Sequence, residues 1–443
     1  MISSNSVKSV RLFRIVGTVL VWCCMVSFCP YAGASEETGP TTWPPAQFPI
    51  GAWCSPPDPY ITKEAYRRYA AAGFNVILPP CDGEATRLRN IKILETARAV
   101  GLKAIISDSR MPMAMTGKPE AKAAIKAIIN DYHKAPALLG YFLTDEPGAS
   151  SFAGIAEVVA EFKRLDPEHT VYVNLFPNYA TVSAAGKEGQ LQAESYDQYL
   201  SSYLKTVHPD VLSWDHYHFL KVSDRIGFYG NLLSVQHAAN VPDNVVPYWQ
   251  IVLSVQHGPY RQLNENEIRF EAMQSLAFGV SGLMYFTYWL PNDSSFIWQN
   301  SIANKDGTPG PLYDSVKTVN KEVSTLAKYL YGTLWVETFL TGTIPPDAHS
   351  APSDDTIRVT GPGNLSVGVF RGAGGYLYTM VTNRDYAAGV KTSMAINLGK
   401  RPLEILDIGT NKWSIVDSKR DDSDNTLFSI DLKPAGAVLL RWK

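Results

Sequence analysis

Two carboxylic acids, Asp145 and Glu146, stand side by side at the end of the apolar, β-rich run from Gly140 to Thr144, and Pro147 follows at once. A pair of carboxyl groups at a strand end is the equipment of general acid/base chemistry, because one can keep a proton near neutral pH while its neighbour stays charged. Pro147 cannot donate to a ladder, so it ends the strand and is expected to hold Glu146 extended. Related residue types recur at intervals: Trp53, Asp108, Asn174, Asp215 and Tyr217, Trp249 with Gln250, Gln256, and Tyr288 with Trp289. Carboxylates, amides and large rings are what a saccharide requires, since its CH faces stack on aromatics and its hydroxyls pair with carboxylates and amides. Glu146, Asp145 and Asp215 are the expected catalytic groups, and the others are the expected substrate contacts. No phosphate-cradling loop or Ser-His-Asp set competes with them.

The elements that would position these residues alternate regularly. Short β-rich runs fall at Phe48–Trp53, Asn75–Leu78, Lys103–Ser107, Leu138–Thr144, Thr170–Leu175, Val211–Trp214, Val246–Leu253 and Gly282–Phe286, with helix-period segments between them. Ser151 is expected to cap a helix whose Phe152, Ile155, Val159 and Phe162 share a face, and Asn264 with Glu267 has the capping-box spacing. Eight such units predict a (β/α)₈ barrel over residues 35–335, which puts the chemistry at the carboxyl ends of the strands. A doubly wound open sheet is the alternative, but no glycine-rich loop follows the first strand. Beyond Gly332 the pattern turns to alternating runs, at Asn364–Phe370, Gly375–Thr382, Thr392–Leu398 and Ala435–Trp442, and predicts a C-terminal antiparallel β-sandwich over residues 336–443. Its expected role is structural, with Trp413 its best exposed-ring candidate.

The 443 residues are 45% hydrophobic, 19% charged and 11% aromatic, with a formal charge of -2. This composition supports a large core and carries no basic footprint for nucleic acid. Residues 1–34 read as a signal peptide: Lys8, Arg11 and Arg14 precede an apolar run from Ile15 to Phe28, and Ala32-Gly33-Ala34 offers a cleavage site. The run is too short for stable membrane insertion. The expectation is therefore an exported, periplasmic or extracellular protein in which only Cys54 and Cys81 remain, either paired across the first two rim loops or left as two buried thiols. His216 and His218 have no third ligand nearby in sequence, so neither a metal nor another cofactor is expected. Nothing in the sequence signals an oligomeric state.

Glu146, the stretch Ser213-Trp214-Asp215-His216-Tyr217, the stretch from Gly282 to Trp289 and the trailing β region resemble the clan of retaining glycoside hydrolases built on (β/α)₈ barrels, of which the β-galactosidase-like families are typical. The resemblance implies that Glu146 is the general acid/base. Two positions depart from that clan. Asp145 stands where it usually has asparagine, and Gln250 and Gln256 stand where a nucleophilic glutamate closes the seventh strand. Asp145-Glu146-Pro147 also resembles the Asp-Glu pair of barrel hexosaminidases, in which the aspartate orients a 2-acetamido group that attacks the anomeric carbon. Asp215 facing Glu146 is the other option. The carboxyl separation discriminates, at about 5 Å for direct retention and roughly 6.5–9.5 Å for inversion. Two alternatives of different class are a catalytically silent glycan-binding barrel and a polysaccharide lyase with Tyr217 or His216 as base. The long segments Asn178–Tyr196 and Trp289–Tyr313 are expected to wall one side of the mouth.

Overall fold

Apolar β-branched runs close on one another, in the computed structural model, as a barrel of eight parallel strands: β1 (Ile50–Ala52), β2 (Val76–Ile77), β3 (Lys103–Ile106), β4 (Leu138–Asp145), β5 (Thr170–Leu175), β6 (Leu212–Asp215), β7 (Tyr248–Leu253) and β8 (Gly282–Phe286). Each pairs with the next in chain order, and β8 closes on β1. The structure describes residues 44–182, 188–242, 244–348 and 356–443; the expected signal peptide lies outside them. All eight expected strands are present, to within a few residues at their ends.

The helices follow as α1 (Lys63–Ala71), α2 (Arg87–Ala99), α3 (Pro119–Tyr132), α4 (Phe152–Leu165), α5 (Tyr196–Val207), α6 (Phe228–Ala239), α7 (Glu265–Ala277) and α8 (Tyr313–Leu330). Their starts are set by side chains that satisfy otherwise orphaned amides: Thr62, Thr86 and Ser195 cap α1, α2 and α5, and α7 opens with the Asn264–Glu267 capping box. Ser151 does not do so. A 3₁₀ turn, Ala149–Ser151, leads into α4, which leaves Ser151 in helical backbone where its hydroxyl makes no cap bond. No described helix is long and apolar enough to cross a membrane.

Inside the barrel, Trp53, Val76, Ile105, Tyr172, Trp249 and Met284 form one packed cluster, so the barrel is filled rather than hollow. The β4–β5 seam is tight. A Cβ on Gly140 would fall 2.4 Å from the Thr170 carbonyl oxygen, which is why glycine stands there.

After α8 the chain forms two antiparallel sheets. One has six strands, in the order Leu334–Leu340, Leu365–Arg371, Leu377–Asn383, Ala437–Trp442, Glu404–Asp407, Lys412–Ile415; the other has four, in the order Ile357–Val359, Val390–Asn397, Asn425–Leu432, Lys419–Arg420. Val367, Val381 and Leu440 of the first share a core with Met394, Ile396 and Phe428 of the second. The six-stranded sheet is tied to α6 and α7: Ser366 Oγ donates to Gln274 Oε1 (2.7 Å), and Thr338 Oγ1 donates to the Ala277 carbonyl (3.0 Å) and accepts from Gln236 Nε2 (3.1 Å). Trp413 is half-buried, with the Arg441 guanidinium 4.0 Å from its ring centroid and Tyr329 edge-on at 5.0 Å.

Gly140→Ala is expected to lose about 2 kcal/mol or more by overpacking the β4–β5 seam. Denaturant unfolding measures it, and an unchanged midpoint would contradict the close approach.

Candidate functional site

The chemistry of the site begins with how β4 ends. In a regular strand Asp145 and Glu146 would face opposite sides of the sheet. Two irregularities prevent this. The β4–β5 register slips between Phe142 and Thr144, so Phe142 pairs with Tyr172 but Asp145, not Thr144, pairs with Asn174. Glu146 then takes a left-handed conformation, φ 45°, while its amide still donates to the Asn174 carbonyl (2.8 Å). The expectation that Pro147 holds Glu146 extended is thus corrected. Left-handed backbone costs a non-glycine residue about 1–2 kcal/mol, a cost borne here at the residue whose side chain must turn back over the barrel.

Three carboxyl groups converge as a result. Asn174 Nδ2 donates to Asp145 Oδ1 and to Asp215 Oδ1, both at 3.0 Å. The carboxyls of Glu146 and Asp215 are in hydrogen-bonding contact. A flipped Asn174 would set its carbonyl oxygen against the two carboxylates; as placed, its Oδ1 accepts from Ser213 Oγ (3.3 Å), which is itself bonded to the Tyr172 hydroxyl (2.6 Å). Asp215 is buried, whereas Asp145 is solvent-exposed.

Burial and mutual repulsion set the protonation. Glu146 is raised to about 7, first by burial and then by the Asp145 charge, with the Asp215 hydrogen bond opposing. Burial also raises Asp145, against the pull of Asn174. Asp215 is pushed well above the ordinary carboxylate range by burial and by its two acidic neighbours. The cluster therefore retains a proton near neutrality, shared between Glu146 and Asp215.

A chain of packed rings runs from Tyr217, two residues after Asp215, through Phe286 and Trp298 to Phe296. Tyr217 stacks on Phe286 (5.5 Å between centroids, 24° between planes) and meets Tyr260 edge-on. His257 stacks on Trp298 at 4.5 Å, and Phe296 packs edge-on against Trp298. Phe296 remains 47% exposed, which leaves part of this chain of rings open to solvent. Tyr179 joins from the β5 loop under the Arg225 guanidinium. Trp298 and Phe296 sit in the long segment after Trp289, and that local crowding of aromatics was the available signal.

Several expected contacts lie elsewhere. Trp249 fills the barrel interior against Tyr172, so it offers no open face. Gln250 points outward, its Oε1 accepting from Ser275 Oγ on α7 (2.6 Å). Tyr288 packs edge-on against Tyr69 and Phe74, and Trp289 lies tilted against Tyr60; both are buried and offer no open face. Asp108 is buried and spent on Arg110 and the Tyr132 hydroxyl (2.6 Å). Gln256 stands on the rim but receives Asn300 Nδ2 (2.6 Å), tying the β7 and β8 loops together. Trp53 is 9% exposed and meets Phe142 edge-on at 4.8 Å; with Leu78, Ile105 and the β2 loop it lines a cavity of about 200 Å³. Cys54 and Cys81, on those first two loops, form a disulfide with Cα atoms 4.5 Å apart.

His216 is buried, bonds Asn231 through Nδ1 (3.0 Å) and is lowered to about 3 by burial, so it is not placed as a base at the mouth. Among the described residues no group of His, Cys, Asp or Glu has the arrangement to hold a metal ion.

No protein-family model matches the chain, and no curated protein matches it. Solved structures do share its architecture. A glycoside hydrolase family 5 protein from Bacteroides vulgatus aligns with a TM-score of 0.58 at 13% identity, over 90% of this chain and 89% of that one. A catalytic mutant of Gan42B, a GH42 β-galactosidase from G. stearothermophilus, aligns with a TM-score of 0.59 at 9% identity, over 89% and 98% of the two chains. At such identities the likeness is one of fold.

The raised carboxyls predict a pH signature in stability. Glu146 ionises near 4.5 when exposed in the unfolded chain but at about 7 in the native one, so between these values unfolding releases protons and rising pH weakens the fold. Glu146→Gln and Asp215→Asn should therefore raise Tm above pH 7 and lose that advantage below about pH 4. Thermal melts across pH check it; a Tm difference independent of pH would contradict the repulsion.

Proposed function

We propose that this protein is an exported glycoside hydrolase that cleaves O-glycosidic bonds of an oligo- or polysaccharide, with Glu146 as general acid/base. The supporting observation is the convergence of Glu146, Asp145 and Asp215 on Asn174 at the carboxyl end of a filled barrel, beside a partly open chain of rings. A proton held at about pH 7 is matched to the task, since the acid must keep it at working pH and still release it in the transition state.

In the first step Glu146 gives its proton to the glycosidic oxygen as the bond to the anomeric carbon breaks. Asp145, the solvent-facing member of the cluster, supplies the second carboxylate, either attacking the anomeric carbon or orienting a substrate group that does. Water then adds, and the Glu146 carboxylate takes its proton. Asp215 is buried behind the pair and shares Asn174 with Asp145, so we assign it to holding the Glu146 carboxyl in position through their hydrogen bond rather than to attack. The cavity beside Trp53 and the rings around Trp298 are read as the neighbouring saccharide contacts. The two C-terminal sheets, with their common core, are read as a β-sandwich that supports the barrel. Export is supported by the leader-like first 34 residues and by the Cys54–Cys81 disulfide, which suits an oxidising compartment.

A second reading is a glycan-binding barrel without turnover. It is favoured by the β7 end, where Ser254 donates to the Thr287 carbonyl and no carboxylate stands. Turnover decides between them. Glu146→Gln is expected to lower kcat by about 10³-fold or more on a cleaved glycan with its fold intact by circular dichroism, and Asp145→Asn comparably. Full activity in the first variant retires the assignment. The pH profile of kcat/KM should fall above about pH 7 as Glu146 loses its proton, and that basic limb should vanish in Glu146→Gln. An ultraviolet-absorbing unsaturated product would identify a lyase instead.

A further inference from the structure

Arg225 brings a positive charge to a mouth dominated by carboxylates. It closes a tight hairpin in the β6 loop, in which Phe219 pairs with Asp224, Leu220 N donates to the Ser223 carbonyl (3.2 Å) and Arg225 N to the His218 carbonyl (2.7 Å). The hairpin is held from two sides. Lys221 N donates to the Pro259 carbonyl (2.9 Å) on the β7 loop, and Asp224 pairs with Arg261 (3.3 Å) and accepts from the Tyr386 hydroxyl, which reaches over from the C-terminal sheets.

The guanidinium itself lies on the Tyr179 ring, 3.8 Å from its centroid, with Nε donating to the Tyr217 carbonyl (3.1 Å) and Nη2 to the Tyr260 hydroxyl (3.3 Å). All of these partners are neutral, and among the described residues no acid pairs with Arg225. The hairpin is already fixed by Asp224, so holding the loop does not require a cation at the next position. A guanidinium locked by stacking, with donors to spare and no counter-charge, is a preorganised receptor for a planar anion, and a carboxylate matches its fork. The location fits a substrate rather than a solvent ion. Arg225 donates to the carbonyl of Tyr217, and the Tyr179 ring under its guanidinium packs edge-on against His216 (5.1 Å between centroids), the residue that follows Asp215, so Arg225 stands one tyrosine ring away from the strand end that carries Asp215.

We propose that Arg225 selects an acidic saccharide by binding the carboxylate of a uronic acid unit. This deepens the hydrolase reading and rests on it for the turnover, though not for the binding.

The test uses the full chain and two readouts. Aryl glycosides matched except at C6, glucuronide against glucoside and galacturonide against galactoside in both anomers, give kcat/KM; calorimetry on Glu146→Gln gives binding of glucuronate- and galacturonate-containing oligosaccharides. At least one uronide is expected to be preferred over its neutral partner by about 10²-fold, and Arg225→Gln to collapse that ratio towards one, mainly through KM, with Arg225→Lys restoring part of it. Uronate binding that needs Arg225, without turnover of any glycoside, keeps this inference and ends the hydrolase reading. Cleavage of neutral glycosides without a uronide preference overturns the inference and leaves the hydrolase reading standing. Absence of uronate binding in calorimetry overturns it whatever is cleaved.

Discussion

One primary amide holds the site together. Asn174 presents both of its Nδ2 hydrogens to aspartates, Asp145 on the preceding strand and Asp215 on the following one, while Ser213 keeps its carbonyl turned the other way. Without that bridge, two carboxylates on neighbouring strands and a third in contact with one of them would separate or all take up protons. With it, Asp145 is offered a compensating hydrogen bond, while burial and the neighbouring acids push Glu146 and Asp215 up, which is why the cluster's proton is shared between those two. The Tyr172–Ser213 link extends this constraint into the barrel interior, so the orientation of one amide is tied to the packing of the core.

The surrounding fold supplies the conditions for that bridge. Parallel pairing brings β4, β5 and β6 together in order, and the register slip in β4 lets Asp145 rather than Thr144 meet Asn174. The C-terminal sheets take part from a distance: Ser366 and Thr338 anchor them to the barrel helices, and Tyr386 reaches Asp224 in the loop that carries Arg225. A region with no evident chemistry of its own thus helps shape one wall of the mouth.

Residues with a polar task at a strand end were the most legible, and of the rings only Tyr217 falls where strand position had put it. Glu146, Asp145, Asn174 and Asp215 could be read from strand ends alone, because charged and amide groups there have few apolar places to go. Trp249, Tyr288 and Trp289 end up in core packing, since a large ring next to a strand terminus is as well buried inward or against a helix as over the mouth. Gln250 misled for the opposite reason: strand alternation sends it outward to Ser275, one residue out of phase with the face it was expected to join. Asp108 had a local partner in Arg110 two residues on, and that pair was satisfied before any substrate could be.

The sequence by itself determined the eight alternating units, the strand that ends in paired acids, and the polar, ring-rich character of the rim, because periodicity and strand-breaking residues act locally. Only the tertiary structure decided which side chains meet. The left-handed turn at Glu146, the register slip beneath it, the amide shared by two aspartates and the stacking of His257 on Trp298 all depend on how separate strands and loops are set against one another, and no local rule of propensity or spacing specifies that.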